Sequence, residues 1–222
     1  MPRDTLTREQ IVNAAIDLLD AEGLEGLNMR ALGKRLDSAA TAVYWHVGSK
    51  DNLIALAGDQ VWGEVPLPDL AVIGWRAAAT QAATGLYEML ARHPWLVQTF
   101  TAFLMPSAGK ARHDDHALAI FEAAGFAGAQ ADQAVATVFT FVLGNALVPA
   151  AQASLTRKLG RDGGDQEELM RETMEQAVEI ASRFPRLRAR LDSVAGYADA
   201  PDDTFAFGLE TILDGLEARL NP

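Results

Sequence analysis

Residues Val43–Leu53 read VYWHVGSKDNL, and this stretch decides how the rest of the chain is read. Three ring side chains in succession, Tyr44, Trp45 and His46, end one short helix, and Ser49-Lys50-Asp51 open the next. Adjacent residues on a helix point to different faces, so a buried core has no use for three rings side by side. A surface that grips phosphates does. Tyr and His donate hydrogen bonds to phosphate oxygens, and a Ser-capped helix start with a Lys in its first turn suits an anion.

Working outward toward the N-terminus, Thr7-Arg8-Glu9-Gln10 is a capping box, with Leu6 and Ile11 placed as a hydrophobic staple. The helix that follows turns Ile11, Ala15, Leu18 and Leu19 inward, and Gly23 stops it. Asn28 caps a second helix whose apolar face is Met29, Leu32 and Leu36. A turn at 37–39 leads to a third helix ending at His46. Two helices joined by so few residues must cross steeply, which is a helix-turn-helix arrangement. A fourth helix runs from Lys50 to about Glu64, and Pro66 and Pro68 mark a boundary. The expected domains are 1–65 and 66–222.

Beyond the prolines the pattern predicts helices near 75–92, 95–104, 110–124, 129–152, 166–184 and 203–220, and the fold class is all-α. The segment 129–152 is apolar nearly all round and is expected to be central. Gly160–Gly164 (GRDGG) reads as a flexible connection. Phe205, Leu209, Ile212, Leu213 and Leu216 form a broad stripe that covers either the domain's own core or a partner subunit.

The net charge of −11 argues against nucleic acid until it is divided. Residues 1–50 hold six Lys/Arg against seven Asp/Glu, and the remainder hold thirteen against twenty-three. Within 28–50 the basic residues Arg30, Lys34, Arg35 and Lys50 face only Asp37. The acid lies away from the candidate phosphate face, where it limits non-specific association. There are no cysteines, which excludes thiolate chemistry and fits a reducing compartment. No apolar run reads as a membrane span and the N-terminus is not a signal peptide, so a cytoplasmic protein without membrane contact is expected.

Over Leu6–Leu56, through TREQIVNAAIDLLDAEGLEGLNMRALGKRL and AVYWHVGSKDNL, the chain resembles transcriptional regulators of the TetR family. Near the C-terminus, RFPRLRARL and FAFGLETILDGLEARL are similar to the closing helices of that family's tetracycline repressors. The resemblance implies an N-terminal three-helix helix-turn-helix DNA-binding domain and a C-terminal helical ligand-binding and dimerisation domain. It implies a homodimer whose ligand respaces two DNA-reading heads. Two departures stand out. Asp37-Ser38 occupies the turn where the family has Gly then Val, and Asp tolerates the left-handed conformation the turn requires. Phe100, Val148 and Pro66 fall where the tetracycline repressors place a metal-binding His, a ligating Glu and a drug-contacting His, which speaks against a magnesium–tetracycline ligand.

By residue, the resemblance places Asn28 and Arg30 at the start of the second helix, with Arg30 within reach of a phosphate or base edge. Ser38, Ala40 and Thr41 would approach the major groove, small enough for contact with thymine methyls. Tyr44, His46 and Lys50 would hold phosphates. Trp45 either flanks the backbone or packs in the three-helix core; Val47 reads as core. Trp95, Phe100, Phe103 and Phe139, with Gln98 and Asn145 as polar anchors, either line an effector pocket or fill a core. His113 and His116 stand three apart like metal ligands, but their charged surroundings read as a solvated helix start and no metal or other cofactor is expected. The expected function is a ligand-responsive repressor released from a palindromic double-stranded DNA operator by a small apolar or amphipathic effector. An all-helical enzyme or an architectural dimer with a vestigial head is the alternative, but no nucleophile–base pair or glycine-rich phosphate loop supports the enzyme.

Overall fold

A computed structural model of the chain describes residues 6–102, 107–162, 166–192 and 204–220. Every element among the described residues is a helix: α1 (Arg8–Gly26), α2 (Met29–Arg35), α3 (Ala40–Val47), α4 (Lys50–Trp62), α5 (Leu70–Arg92), α6 (Pro94–Ala102), α7 (Ala108–Ala124), α8 (Ala129–Asp162), α9 (Gln166–Ser182), α10 (Pro185–Asp192) and α11 (Thr204–Leu220).

The caps at Thr7, Asn28 and Ser49 act as read, whereas Gly23 kinks α1 instead of ending it. The Thr7 amide donates to Gln10 Oε1 at 2.9 Å, and the Gln10 amide donates to Thr7 Oγ1 at 3.2 Å, closing the capping box. Gly23 departs from the helical path within α1 at φ 71°, a conformation costly for any residue with a Cβ. Asp37 takes the left-handed conformation at φ 47°, so the turn between α2 and α3 survives without glycine at that position. Ile11, Leu19, Leu32, Val43 and Leu53 are fully buried, and Val47 joins them.

The second half departs from expectation at several points. α5 begins at Leu70 and kinks at Gly74 (φ 72°), so its first turn is a separate piece ahead of Trp75. α8 continues past 152 to Asp162 with Pro149 inside it, and that proline is exposed. The first residues of GRDGG therefore complete a helix; Gly163 and Gly164 lie outside the described residues. RFPRLRARL folds as a helix of its own, with Pro185 at the first position, where a missing N–H costs nothing.

α8 also corrects two readings. Ala131, Ala134, Val138, Val142 and Ala146 are buried at helical spacing, but Leu147, Val148 and Leu155 are exposed. Among the described residues, the helix is covered along one side only. Residues Ala129–Gly160 are, moreover, long and apolar enough to cross a membrane, with mean hydropathy 1.8 in a window only 28% buried. Length and composition alone produce that match, and half-covered soluble helices share both properties.

α11 lies against α5 and α8. Leu209 and Leu213 are buried, and Phe205 stacks on Tyr87 (4.4 Å between ring centroids) and on Phe141 (5.5 Å). Arg76 on α5 pairs with Asp214 and, at 2.8 Å, with Glu217. The buried core runs without a break from α1–α4 into the later helices, through Trp62, Val65, Trp95 and Leu96.

Candidate DNA-reading face and ligand cavity

α3 turns Val43 and Val47 inward, which sends the residues between them outward. Thr41 is exposed, Tyr44 is 47% exposed and Trp45 is 83% exposed, while His46 is half-buried with its ring edge-on to Trp45 at 4.9 Å. The core alternative for Trp45 is thereby excluded. Gly33 sets how closely α2 and α3 cross: a Cβ there would lie 2.7 Å from the Ser38 carbonyl oxygen. The Ser38 amide donates to the Gly33 carbonyl at 2.8 Å. Ser38 and Ala40 are half-buried in this crossing, so both carry structure first. Nothing in the sequence reading singled out Gly33, although LGKRL places it where the two helices must approach.

Two expected contacts are already engaged within the head. Asn28 spends its carbonyl oxygen on the Ala31 amide (2.8 Å) and its amide on the Gly26 carbonyl (3.1 Å), so it is a cap before it is a DNA contact. Lys50 donates to the Leu24 carbonyl at 2.9 Å, tying α4 to the end of α1. An ammonium carries three hydrogens, so two remain for a phosphate. Ser49 Oγ accepts from the Asn52 amide at 3.0 Å and caps α4. Arg30 is exposed, while the neighbouring Arg35 pairs with Asp17 at 3.0 Å.

A small cavity of about 30 Å³ lies between α5, α7 and α8. Its walls are small or apolar, including Ala79, Ala82 and Ala83 on α5, Ile120 on α7 and Val138 and Phe139 on α8. His113 is the polar group in its wall, and the same ring also lines an adjoining hollow of about 310 Å³ bounded by Trp62, Pro66 and Arg112. Burial pushes the His113 pKa down, outweighing the Asp114 contact, so the ring is neutral near pH 7 and offers one donor and one acceptor. The solvated reading of His113 fails, because it is only 6% exposed. Its carboxylate neighbours concealed a helix face that continues through Ala117 and Ile120.

Of the expected pocket residues, Phe139 lines the cavity and Phe100 stands beside it, edge-on to Phe139 at 5.8 Å. Trp95 does not: it is fully buried at the junction with α1, its indole N–H donating to Asp20 Oδ1 at 2.7 Å. Asn145 donates back to the Phe141 carbonyl at 2.8 Å, and neither it nor Gln98 borders the cavity. Phe103 lies outside the described residues.

The cavity adjoins a tight joint to the head. Asp59 on α4 accepts from the Gly109 amide (2.7 Å) and Ser107 Oγ (2.9 Å) at the start of α7. The Gly109 amide bond holds the Asp59 pKa below the ordinary carboxylate value, against the cost of burial. A Cβ on Gly109 would lie 2.5 Å from the Asp59 carbonyl oxygen and 2.7 Å from Trp62 Cβ. One residue on, Lys110 lies over the rings of Trp62 (5.7 Å) and Phe139 (5.0 Å) and pairs with Asp114 at 2.5 Å.

Residues 11–57 match the family described as bacterial regulatory proteins of the tetR family, and residues 67–220 match the tetracyclin repressor-like C-terminal domain. This chain belongs to the TetR family. The HTH-type transcriptional repressor DrrR1 of Streptomyces coeruleorubidus is 31% identical over 220 residues, covering 97% of this chain and 79% of the repressor. The class A tetracycline repressor of transposon 1721, from Escherichia coli, is 30% identical and covers 94% of this chain and 89% of its own. Among solved structures, ActR of Streptomyces coelicolor in complex with actinorhodin superposes with a TM-score of 0.72 at 27% identity, covering 97% of each chain. The protein is a DNA-binding, ligand-responsive transcriptional regulator of this family, not an enzyme.

Proposed function

We propose that this TetR-family regulator is a homodimeric repressor that leaves a palindromic operator when a small apolar or amphipathic molecule enters the cavity between α5, α7 and α8. The observation that carries the reading is the position of that cavity: Phe139 borders it, and Lys110 links Phe139 to Trp62 on the helix that holds the head. A ligand that moves the start of α7 must move Asp59 and α4, because Gly109 leaves no slack between them. Two heads have to sit about 34–36 Å apart to enter successive major grooves. A ligand preferring another spacing weakens DNA binding by its difference in affinity for the two states, and by no more.

Arg30, Thr41, Tyr44, Trp45 and His46 form the DNA face in this reading, with Lys50 contributing its two remaining hydrogens. The exposed apolar side chains of α8 and α11, among them Leu147, Val148 and Phe207, are the surface for the second subunit. The relatives include a tetracycline repressor and ActR in complex with actinorhodin; Phe100, Val148 and Pro66 lack the oxygen and nitrogen ligands a magnesium–tetracycline complex needs. Such a protein acts in the cytoplasm, where the DNA is. Selection of duplexes from random DNA, followed by anisotropy at two salt concentrations, tests the proposal. A palindromic consensus bound with steep salt dependence supports it; equal, weak binding to every duplex sinks it.

A further inference from the structure

A second polar junction joins head and body. His93, at the end of α5, is 6% exposed and faces a carboxylate with each ring nitrogen. Nδ1 lies 2.8 Å from Asp20 Oδ1 on α1, and Nε2 lies 3.1 Å from Glu64 Oε1 just beyond α4. The Trp95 indole donates to the same Asp20 oxygen at 2.7 Å, and Arg92 binds Glu64 Oε2 through Nε (3.2 Å) and a terminal nitrogen (2.9 Å). Two elements of the DNA-reading head, α1 and the end of α4, are thus tied to one ring at the hinge between α5 and α6.

A neutral imidazole has one N–H, so it can donate to only one of two carboxylates; the other nitrogen then turns a lone pair on an anion. Only the imidazolium satisfies both contacts. We propose that His93 is a positioning residue whose imidazolium clamps the DNA-reading head onto the ligand-binding domain, so that operator affinity carries the protonation state of this ring. The charged and titratable groups facing it are Asp20 from α1, Glu64 from the end of α4 and Arg92 from its own helix. Burial opposes the charge, but the Asp20 hydrogen bond and the two carboxylates outweigh it and hold the His93 pKa above its ordinary value. The clamp is therefore fully made below the unfolded pKa of about 6.5 and released as pH rises through the higher folded value. Release loosens the head, and a looser head gives up more conformational freedom on docking to DNA, so affinity falls. This regulation rests on the assignment of α1–α4 as a DNA-reading head, whereas the clamp itself does not.

The test therefore has one arm without DNA. An NMR titration of the four histidines, assigned by single substitution, follows His93 in the full-length protein, in Asp20→Asn and in Glu64→Gln. Because the chain has no cysteine, Glu9→Cys and Glu122→Cys place one spin label on α1 and one on α7 for distance measurements at pH 6 and pH 9. The expected result is a His93 pKa above the ordinary value that drops in both variants, with a label distance that broadens at pH 9. In the DNA arm, affinity for a selected operator should fall about threefold or more across the His93 titration. His93→Gln should flatten that step. A His93 that titrates at or below the ordinary value, or a label distance identical at both pH values, overturns the clamp. A clamp present by both spectroscopic measures but a pH profile unchanged in His93→Gln overturns its link to DNA affinity. Failure to bind any duplex at any pH sinks the DNA-reading assignment and the affinity step with it, and leaves the clamp to the spectroscopic arm.

Discussion

The three-helix head and the α9–α10 arm carry equally regular helical patterns, yet they end in opposite states. In the head Ile11, Leu19, Leu32 and Leu53 are fully buried. In the arm Leu169, Met170, Met174, Val178, Phe184 and Leu187 are all exposed. The arm is the more strongly amphipathic of the two, with Arg171–Glu175 and Arg183–Glu179 pairs on its polar side. Periodicity reports that a helix has a face to bury, and nothing about which chain supplies the cover. In the proposed homodimer, a face that the described residues leave uncovered is available to the assembly.

The largest effect that tests this contrast is Leu32→Ala. Emptying a fully buried site in the head should cost about 2–5 kcal/mol of stability and abolish operator binding, read by chemical melting and anisotropy. Met174→Ala and Val178→Ala in the arm should change melting of the dilute chain by less than about 0.5 kcal/mol. If they destabilise it as much as the head variant does, the arm packs within its own chain and the contrast fails. Gly33→Ala should come next, at about 1–3 kcal/mol, because the new Cβ meets the Ser38 carbonyl oxygen and the α2–α3 crossing must open. Gly109→Ala separates α4 from α7 in the same way, and the expected result is a folded repressor whose DNA affinity responds less to ligand.

Smaller effects separate surface from core within the head. Tyr44→Phe should lower operator affinity roughly tenfold, the worth of a hydrogen bond to a charged group, with melting unchanged. Arg30→Ala should reduce the salt slope by about one, measured by titrating the same duplex at several salt concentrations. Unchanged affinity in both would remove the DNA face as drawn. The two buried histidines give the smallest and most diagnostic effects, because their signs are opposed. The lowered pKa of His113 means that the unfolded chain binds its proton more readily, so this residue removes stability as pH falls below about 6.5. His93, with its raised pKa, removes stability as pH rises through its folded value. Thermal melts across pH should lose the acid-side slope in His113→Gln and the alkaline-side slope in His93→Gln.

Legibility in the sequence followed the range of the forces involved. The capping box at Thr7, the caps at Asn28 and Ser49 and the left-handed Asp37 all act within a few residues, and all four are formed. The sequence also placed Val47 inward and Tyr44 outward, because helical period settles those directions. It left the choice between pocket and core open at Trp95, and misplaced His113 and the cover of α8. Each depends on partners far along the chain: Trp95 on Asp20, His113 on Trp62, and α8 on surfaces that the described residues do not wholly supply.

What the sequence determined by itself is the helical class of the chain and, over α1–α4, the caps and the face each helix buries, since caps, turns and periodicity are local properties of the backbone. Only the tertiary structure decided which polar groups are left for function. It tied Asn28 and Lys50 into the head, left Arg30 and Trp45 at the surface, put a neutral imidazole in the cavity wall and set another between two carboxylates. A side chain's charge, reach and pKa depend on what surrounds it, and those surroundings come together only when distant segments pack.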